Sequence, residues 1–405
     1  MNKLLQINVV GNYGSTGHIA EEIGSLAIFN GWKSYIACAR NIRTSQSEII
    51  KIGNVLDIYY HILKTRITDR HGFASKLATR RLIKSIEKIQ PDIIHLHNLH
   101  GYYINIKILF DYLSTIKIPI IWTLHDCWSF TGHCAYFDFI NCNKWEIQCY
   151  NCPQKRIYPS SLLLDSSKKN FICKNKLFNK ISNLTLIPVS NWLSSLIGKS
   201  FLNLHNCKTI HNGIDLNIFR PVNSSYFQDK YNTNKKFVIL GLTNIWADRK
   251  GLNDFILLDK LINHSNYQII LVGLNKKQMK VVPPTIKCII RTENIDELVA
   301  LYSLADVFVN PTWEDNFPTT NIEALACGTP IVTYKTGGSP EAIDKETGII
   351  IEKGDVDGLY QAIKKIGERS RAFYIKKCRN RAISLFSKQD RYNEYINLYK
   401  SLLNQ

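Results

Sequence analysis

The chain is predicted to be an α/β protein of two domains, each a parallel sheet flanked by helices. Three observations carry that prediction. Each half opens on an apolar strand that runs into a glycine-bearing loop and then a helical pattern, the usual opening of a nucleotide-binding fold. A length of 405 residues exceeds one ordinary hydrophobic core, so two domains are expected. Residues 305–341 place a strand, a polar loop, a helix, a second strand and a glycine turn in one contiguous stretch, which is how a ligand site is built at the C-terminal edge of a parallel sheet.

Composition narrows the class. A hydrophobic content of 45% with 11% aromatics is globular. No apolar run reaches the roughly 18 to 20 residues of a membrane span. The opening MNKLLQINVVGNYG has too short an apolar core for a secretory signal, so a cytoplasmic protein is expected. Eleven cysteines in such a chain point to free thiols or metal, not disulfides. A net charge of +18 seeks nucleic acid, an acidic membrane or phosphorylated ligands. No nucleic-acid module accompanies it, which leaves an anionic membrane surface as the economical partner and a merely solvated basic surface as the bland one.

Residues 4–10 read as the first strand. Gly11-Asn12-Tyr13-Gly14-Ser15-Thr16-Gly17-His18 is a glycine loop, a helix follows to about Phe29, and residues 34–39 form the next strand. The glycine spacing is not GxGxxG, and no acid ends the second strand where a nicotinamide ribose would want one. A dehydrogenase is disfavoured. Residues 65–88 carry Arg66, Arg70, Lys76, Arg80, Arg81, Lys84 and Lys88, and from Ser75 on Leu77, Leu82, Ile83 and Ile86 keep helical spacing. This is a helix with an apolar and a basic face, reached through Asp69-Arg70-His71-Gly72. Arg70 and His71 are assigned to a side that meets a phosphate or a membrane, with a solvated face as the competing reading.

Residues 91–97 are a short buried strand followed by Asn98, His100 and Gly101. Polar groups at the C-terminal end of a parallel strand face the ligand crevice, which makes His97, Asn98 and His100 candidates. The strand over residues 118–123 repeats the pattern and ends in His125-Asp126. Cys134, Cys142, Cys149 and Cys152 then read C-x7-C-x6-C-x2-C. Four thiolates with a CxxC pair match a structural zinc site, and Cys127 and His133 compete as ligands. Reduced cysteines packed among Trp128, Phe137 and Trp145 are the alternative. Further strands are expected over residues 184–189 and 208–210, with Ser190 capping a helix. His211-Asn212-Gly213-Ile214-Asp215 is a tight turn suited to a hinge, and the domain boundary is placed there, at 1–210 against 211–387.

In the second half, strands are expected over residues 237–243, 268–272, 286–291 and 347–351. Helices are expected over 248–262, 295–304, 357–366 and about 370–385. In the stretch 305–341, Pro318 opens a helix whose first amides, those of Thr319, Thr320 and Asn321, suit a phosphate at the positive end of the helix dipole. Glu323 lies one turn further in, where a carboxylate could take two ribose hydroxyls. Gly328-Thr329-Pro330 ends the helix and Gly337-Gly338-Ser339 forms the second turn. The physical reading is a pyrophosphate and a ribose held at the sheet edge.

This stretch resembles the donor-binding signature of the family-four retaining glycosyltransferases. There an acidic residue and a Glu, with seven residues between them, precede a small-residue helix and Gly-Thr-Pro. Asp315 and Glu323 match that pair, with Asp in place of the usual Glu, and Glu314 stands one residue out of register as the competing carboxylate. Lys250-Gly251 matches the family's Lys-Gly element. The usual Arg is displaced, so Arg249 or a cation from elsewhere must serve. The resemblance implies the GT-B architecture, two Rossmann-like domains facing a cleft, with the last helix (388–405) crossing back to the first domain. It implies transfer of a sugar from a nucleotide diphosphate sugar to an acceptor hydroxyl with retention, and no catalytic metal.

The implied roles follow by position. Lys250, Arg249, Pro318 and the Thr319–Asn321 amides hold the diphosphate, with Gly14 and Gly17 allowing close approach. Glu323 binds ribose, Asp315 the sugar ring, and His125 lies beside the reacting centre. The look-alikes build colanic-acid or capsular polysaccharides on undecaprenyl-diphosphate-linked acceptors, which implies a peripheral position on the inner face of the membrane. Two other readings stand beside it: a nucleotide-sugar epimerase of the same fold, and a non-catalytic protein that binds anionic polymer.

Overall fold

The computed structural model describes residues 1–233 and 235–404. The chain divides into two units, Met1–His211 together with the segment from Tyr392 onward, and Asn212–Arg391.

The first unit is built on a seven-stranded sheet, every pairing parallel. Its strands run in space Glu48–Lys51, Lys33–Cys38, Lys3–Ile7, Ile93–Leu96, Ile120–Leu124, Leu184–Pro188, Asn206–Cys207. The central strands are buried almost throughout, as expected where both faces are covered, with Gln6, His95 and Thr123 as the buried polar residues among their apolar ones. Alternation splits their side chains between two cores. Leu5, Ile7, Ile94, Leu96 and Trp122 face one way. Leu4, Ile93 and Ile121 face the other, onto Ile19, Ile23 and Trp32. The last helix, Lys388–Leu403, adds Tyr392, Tyr395, Ile396 and Tyr399 to this second face. Tyr399 Oη lies 2.7 Å from His95 Nδ1.

The second unit holds a six-stranded sheet, also parallel throughout. Its order is Lys287–Ile289, Tyr267–Val272, Phe237–Leu242, Val307–Asn310, Ile331–Tyr334, Gly348–Ile351. In each unit the strand order reverses once. In the first it does so between Lys3–Ile7 and Ile93–Leu96, in the second between Phe237–Leu242 and Val307–Asn310. Ligands of open α/β sheets sit outside the strand C-termini at such a reversal.

Several local expectations are corrected. The helix expected over 248–262 is a 3₁₀ turn, Asp248–Lys250, and a separate helix, Leu252–Asp259. Gly251 divides them at φ +76°, where an added Cβ would lie 2.2 Å from Pro311 O. The last strand of the first sheet is Asn206–Cys207, just before the expected 208–210. The elements not anticipated include the strand Glu48–Lys51 and the helices Val55–Thr68, Ile106–Leu113 and Ser167–Phe178. The helix Val55–Thr68 carries a readable signal in its Asn54/Asp57 capping box. Its packing is inverted, however: polar His61 and Thr65 are buried while its apolar residues face out. Among the described residues no helix is long and apolar enough to cross a membrane.

Candidate functional site

The reversal point of the second unit is lined by two loops. One follows the strand Phe237–Leu242 and ends in Arg249-Lys250-Gly251. The other follows Val307–Asn310 and leads directly into the helix Thr319–Ala326. Backbone hydrogen bonds join them, with Trp313 N–H donating to Arg249 O at 2.8 Å. Arg249 Nη1 donates in turn to Glu314 O at 2.8 Å. Lys250 Nζ forms a short ion pair with Asp315 Oδ2. Of the two candidate carboxylates, Glu314 is buried, while Asp315 keeps 15% exposure beside a lysine that keeps 18%.

Pro318 is the residue before the helix and supplies no side-chain cap. The helix mouth is therefore left to backbone amides. Asn321 departs from the expectation: its N–H is given to Pro318 O at 3.1 Å. Its side chain is buried, accepts from Asn310 Nδ2 at 2.8 Å and donates to Ser339 Oγ at 2.9 Å. Asn321 knits strand, helix and second turn together, and leaves the mouth to Thr319 and Thr320. The second turn is tied to the same loop, because Gly338 N–H donates to Asn316 O at 2.8 Å. Gly337 sits at φ +54°, and a Cβ there would fall 1.7 Å from Asp315 O. Only glycine lets these two loops approach so closely.

Glu323 is partly buried one turn into the helix. Tyr302 Oη–H donates to Glu323 Oε2 at 2.8 Å, and the Thr319 hydroxyl also serves it. Burial raises the Glu323 carboxyl above its ordinary value, and these two donors only partly offset that. Asp254 was not anticipated. It accepts from Trp313 Nε1 at 2.9 Å and from Tyr334 Oη–H at 2.7 Å, so it braces the loop from behind. A lone helix Asp gave no signal of this.

The reversal point of the first unit collects histidines. His97 and His125 rings stack with centroids 5.7 Å apart, and His97 Nδ1 lies 3.3 Å from His125 Nε2. His97 Nε2 lies 3.0 Å from Gln6 Oε1 on the neighbouring strand. Burial pushes His125 down to about 4, against a smaller lift from Asp126, so a neutral imidazole stands here at neutral pH. His100 Nε2 pairs with Asp126 Oδ2 at 2.6 Å, and His100 Nδ1 lies 2.8 Å from Tyr158 Oη. Burial alone would raise Asp126; His100 and the Trp128 N–H outweigh it and hold the carboxylate below its usual range. Tyr158 had no sequence signal, as it lies 58 residues from His100.

Asn98 and His100 are partly exposed at this edge, as is Asp126. His71 and His97 are buried, which removes them from any membrane-facing role. His71 Nε2 instead accepts from Gly101 N–H at 3.2 Å. Arg70 donates to Asn170 Oδ1 at 2.8 Å and lies over the Phe73 ring at 3.8 Å, so its charge is partly committed. Gly14 opens its helix at φ +62° with no atom within 4 Å of an added Cβ, whereas Gly17 is buried with Val10 Cγ2 at 3.1 Å from that position. Gly14 faces open space and Gly17 serves packing.

Comparison with known proteins agrees with this architecture. Residues 18–218 match the model described as Glycosyltransferase Family 4, and residues 235–369 the model described as Glycosyl transferases group 1. An Escherichia coli (strain K12) protein, whose name assigns it to colanic acid biosynthesis as a glycosyl transferase, is 23% identical over 98% of this chain and 100% of its own. A capsular polysaccharide biosynthesis glycosyltransferase of Staphylococcus aureus is 27% identical over 54% of this chain and 62% of its own. Among solved structures, sucrose-phosphate synthase of Thermosynechococcus elongatus superposes with a TM-score of 0.74 at 16% identity, covering 100% of both chains. Anabaena HepE in complex with UDP gives 0.70 at 14% identity, covering 99% of this chain and 100% of its own. The fold is that of the GT-B enzymes. The epimerase and polymer-binding readings draw no support from these relatives.

Proposed function

The chain belongs to the glycosyltransferases that the group 1 and family 4 models describe, and from that premise we propose that it is a retaining enzyme. It moves a sugar from a nucleotide diphosphate sugar to a lipid-linked saccharide acceptor in the assembly of a surface polysaccharide. One observation carries this reading: the Lys250–Asp315 ion pair stands beside the uncapped mouth of the helix Thr319–Ala326, with Glu323 one turn in.

The chemistry asks for little else. When the bond from the anomeric carbon to the diphosphate breaks, negative charge gathers on the departing phosphate. Lys250 and the amides at the helix mouth are fixed, positive and in place before that charge develops. Asp315, held by Lys250, is available to a sugar hydroxyl. Glu323 offers a carboxylate for the ribose. In the first unit, neutral His125 is a hydrogen-bonding group that adds no charge, and Asp126 pairs with His100 beside it.

A membrane surface suits the same reading. Val55, Leu56, Tyr59, Tyr60 and Leu63 form one stripe of the helix Val55–Thr68 and are 58 to 76% exposed. Leu162, Leu163 and Leu164, also exposed, lie at the end of that helix, with Leu162 N–H donating to Arg66 O at 2.7 Å. Lys64, Arg66 and Lys155 border the patch, and Lys155 Nζ donates to Leu163 O at 3.1 Å. An apolar patch edged by cations fits the headgroup region of an anionic bilayer, where each nearby cation adds about 1 kcal/mol.

The test is a thermal-shift panel of UDP, GDP, ADP, CMP and dTDP. A ligand at about a hundred times its dissociation constant adds roughly 2.7 kcal/mol to the folded state. One diphosphate shifting alone names the donor base. No shift from any of them overturns the reading.

A further inference from the structure

We propose that Cys134, Cys142, Cys149 and Cys152 bind one structural zinc ion as a tetrathiolate that pins the irregular segment 127–166. The inference does not depend on the transferase reading. That segment holds only two 3₁₀ turns, Trp128–Phe130 and Asp138–Ile140, and a one-turn helix, Lys144–Ile147. Ordered segments of this length without regular structure are uncommon and need something else to hold them.

All four sulfur-bearing residues line a single cavity of about 20 Å³, beside Phe137 and Trp145. That is room for about one water-sized sphere, and so for one ion. Gly132 N–H is directed at the Cys149 sulfur and Gln154 N–H at the Cys152 sulfur, while the Cys134 and Cys152 thiols hydrogen-bond each other. Backbone donors to sulfur are the outer-shell contacts that hold metal thiolates in place.

A second, independent feature is Lys174. Its ammonium is buried at 1% exposure. It donates to Trp128 O at 2.6 Å and Thr131 O at 3.1 Å and lies 3.4 Å over the Trp128 ring. Through these two carbonyls Lys174 fixes the start of the same irregular segment.

His133 lines the same cavity; its Nδ1 is held by buried Asp69 in a short hydrogen bond and its Nε2 lies 3.5 Å from Ile157 O. Cys127 lies outside the cavity lining, its N–H donating to Ala135 O at 2.9 Å. Among the described residues no three His, Cys, Asp or Glu side chains already stand as a coordination sphere. Binding therefore requires the thiols to rotate onto the ion and lose their protons: Zn²⁺ enters, four S–H protons leave, and four Zn–S bonds form.

The experiment is metal analysis of the full chain purified without added metal or chelator, with thiol counting on the same sample. About one zinc per chain is expected, with four of the eleven thiols protected from a thiol reagent until an organomercurial releases the metal. Cobalt exchanged into the wild-type chain should give the intense visible bands of a tetrahedral thiolate site. Cys142→Ser should lose the metal, and Cys173→Ser should keep it. Zinc well below stoichiometric in folded protein, with these four thiols free or oxidised in pairs, overturns the proposal. So does cobalt uptake without thiolate bands.

Discussion

Replacing Glu323 with Gln separates function from stability. The side chain is partly buried, and its carboxyl is raised above its ordinary value by that burial. In the window between the ordinary value and the raised one, the folded state binds more protons than the unfolded chain. Stability is therefore lost as pH rises through that window, and at neutral pH the fold carries an ionised group it would prefer to neutralise. Glu323→Gln keeps the shape, keeps an acceptor for Tyr302 Oη–H and removes the charge. The variant should melt at the same temperature as the wild type or above it at neutral pH. The difference should shrink in acid, where Glu323 is protonated. Donor binding moves the other way. Hydrogen bonds to a charged group are worth roughly 1.5 to 3 kcal/mol, so losing the carboxylate should weaken the nucleotide about ten- to a hundredfold. The assay is nucleotide titration by calorimetry, with melting curves across pH on the same samples. Unchanged nucleotide affinity would remove Glu323 from the site. Weaker affinity with a large loss of stability would mean that it serves only the fold.

Other outcomes are expected. Lys250→Ala breaks the pair with Asp315 and, on the proposed function, removes the cation that meets the departing diphosphate; kcat should fall about a hundredfold or more with melting little changed, and Lys250→Arg should recover part of it. Leu56→Glu combined with Leu163→Glu should abolish flotation with anionic vesicles and leave turnover on a short water-soluble acceptor intact; flotation that persists would refute the docking surface. Burial depresses His61 and His95 to about 3 and His125 to about 4. The unfolded chain protonates these residues first, so their contribution to stability is lost as pH falls below about 6.5 toward those values. Melting temperature should drop through that window, and His95→Gln should flatten the slope; an unchanged slope would refute the argument.

The candidate site of the second unit was legible because its parts are neighbours in the chain. Pro318, Thr319, Thr320 and Glu323 lie on one loop and one helical turn, and short-range spacing is enough to place such groups together. Gly251 and Gly337 stood out in the sequence, but the backbone they approach, at Pro311 and Asp315, did not. What spacing could not reveal was which carboxylate faces the lysine. Asp315 and Lys250 are 65 residues apart and meet only because their two strands flank the reversal of strand order. Asn321, expected to offer an amide, is turned inward by Asn310 and Ser339.

The first half was less legible for the same reason. The strand ends at His97 and His125 could be read as crevice residues, but their ring-to-ring contact, the Gln6 partner and the Asp126–His100–Tyr158 chain depend on parallel register. The helix Val55–Thr68 escaped a periodicity test because burial of His61 and Thr65 inverts the usual pattern. By itself the sequence determined the α/β class, the two-part organisation and the local frame of the helix that Pro318 opens, since hydrophobic period, glycine and proline act within a turn or two of themselves. Tertiary structure alone decided which charges meet, that His133 goes to Asp69 and the four cysteines to one cavity, and which apolar stripe is left facing out. Those outcomes rest on contacts between distant segments, and only the strand order sets them.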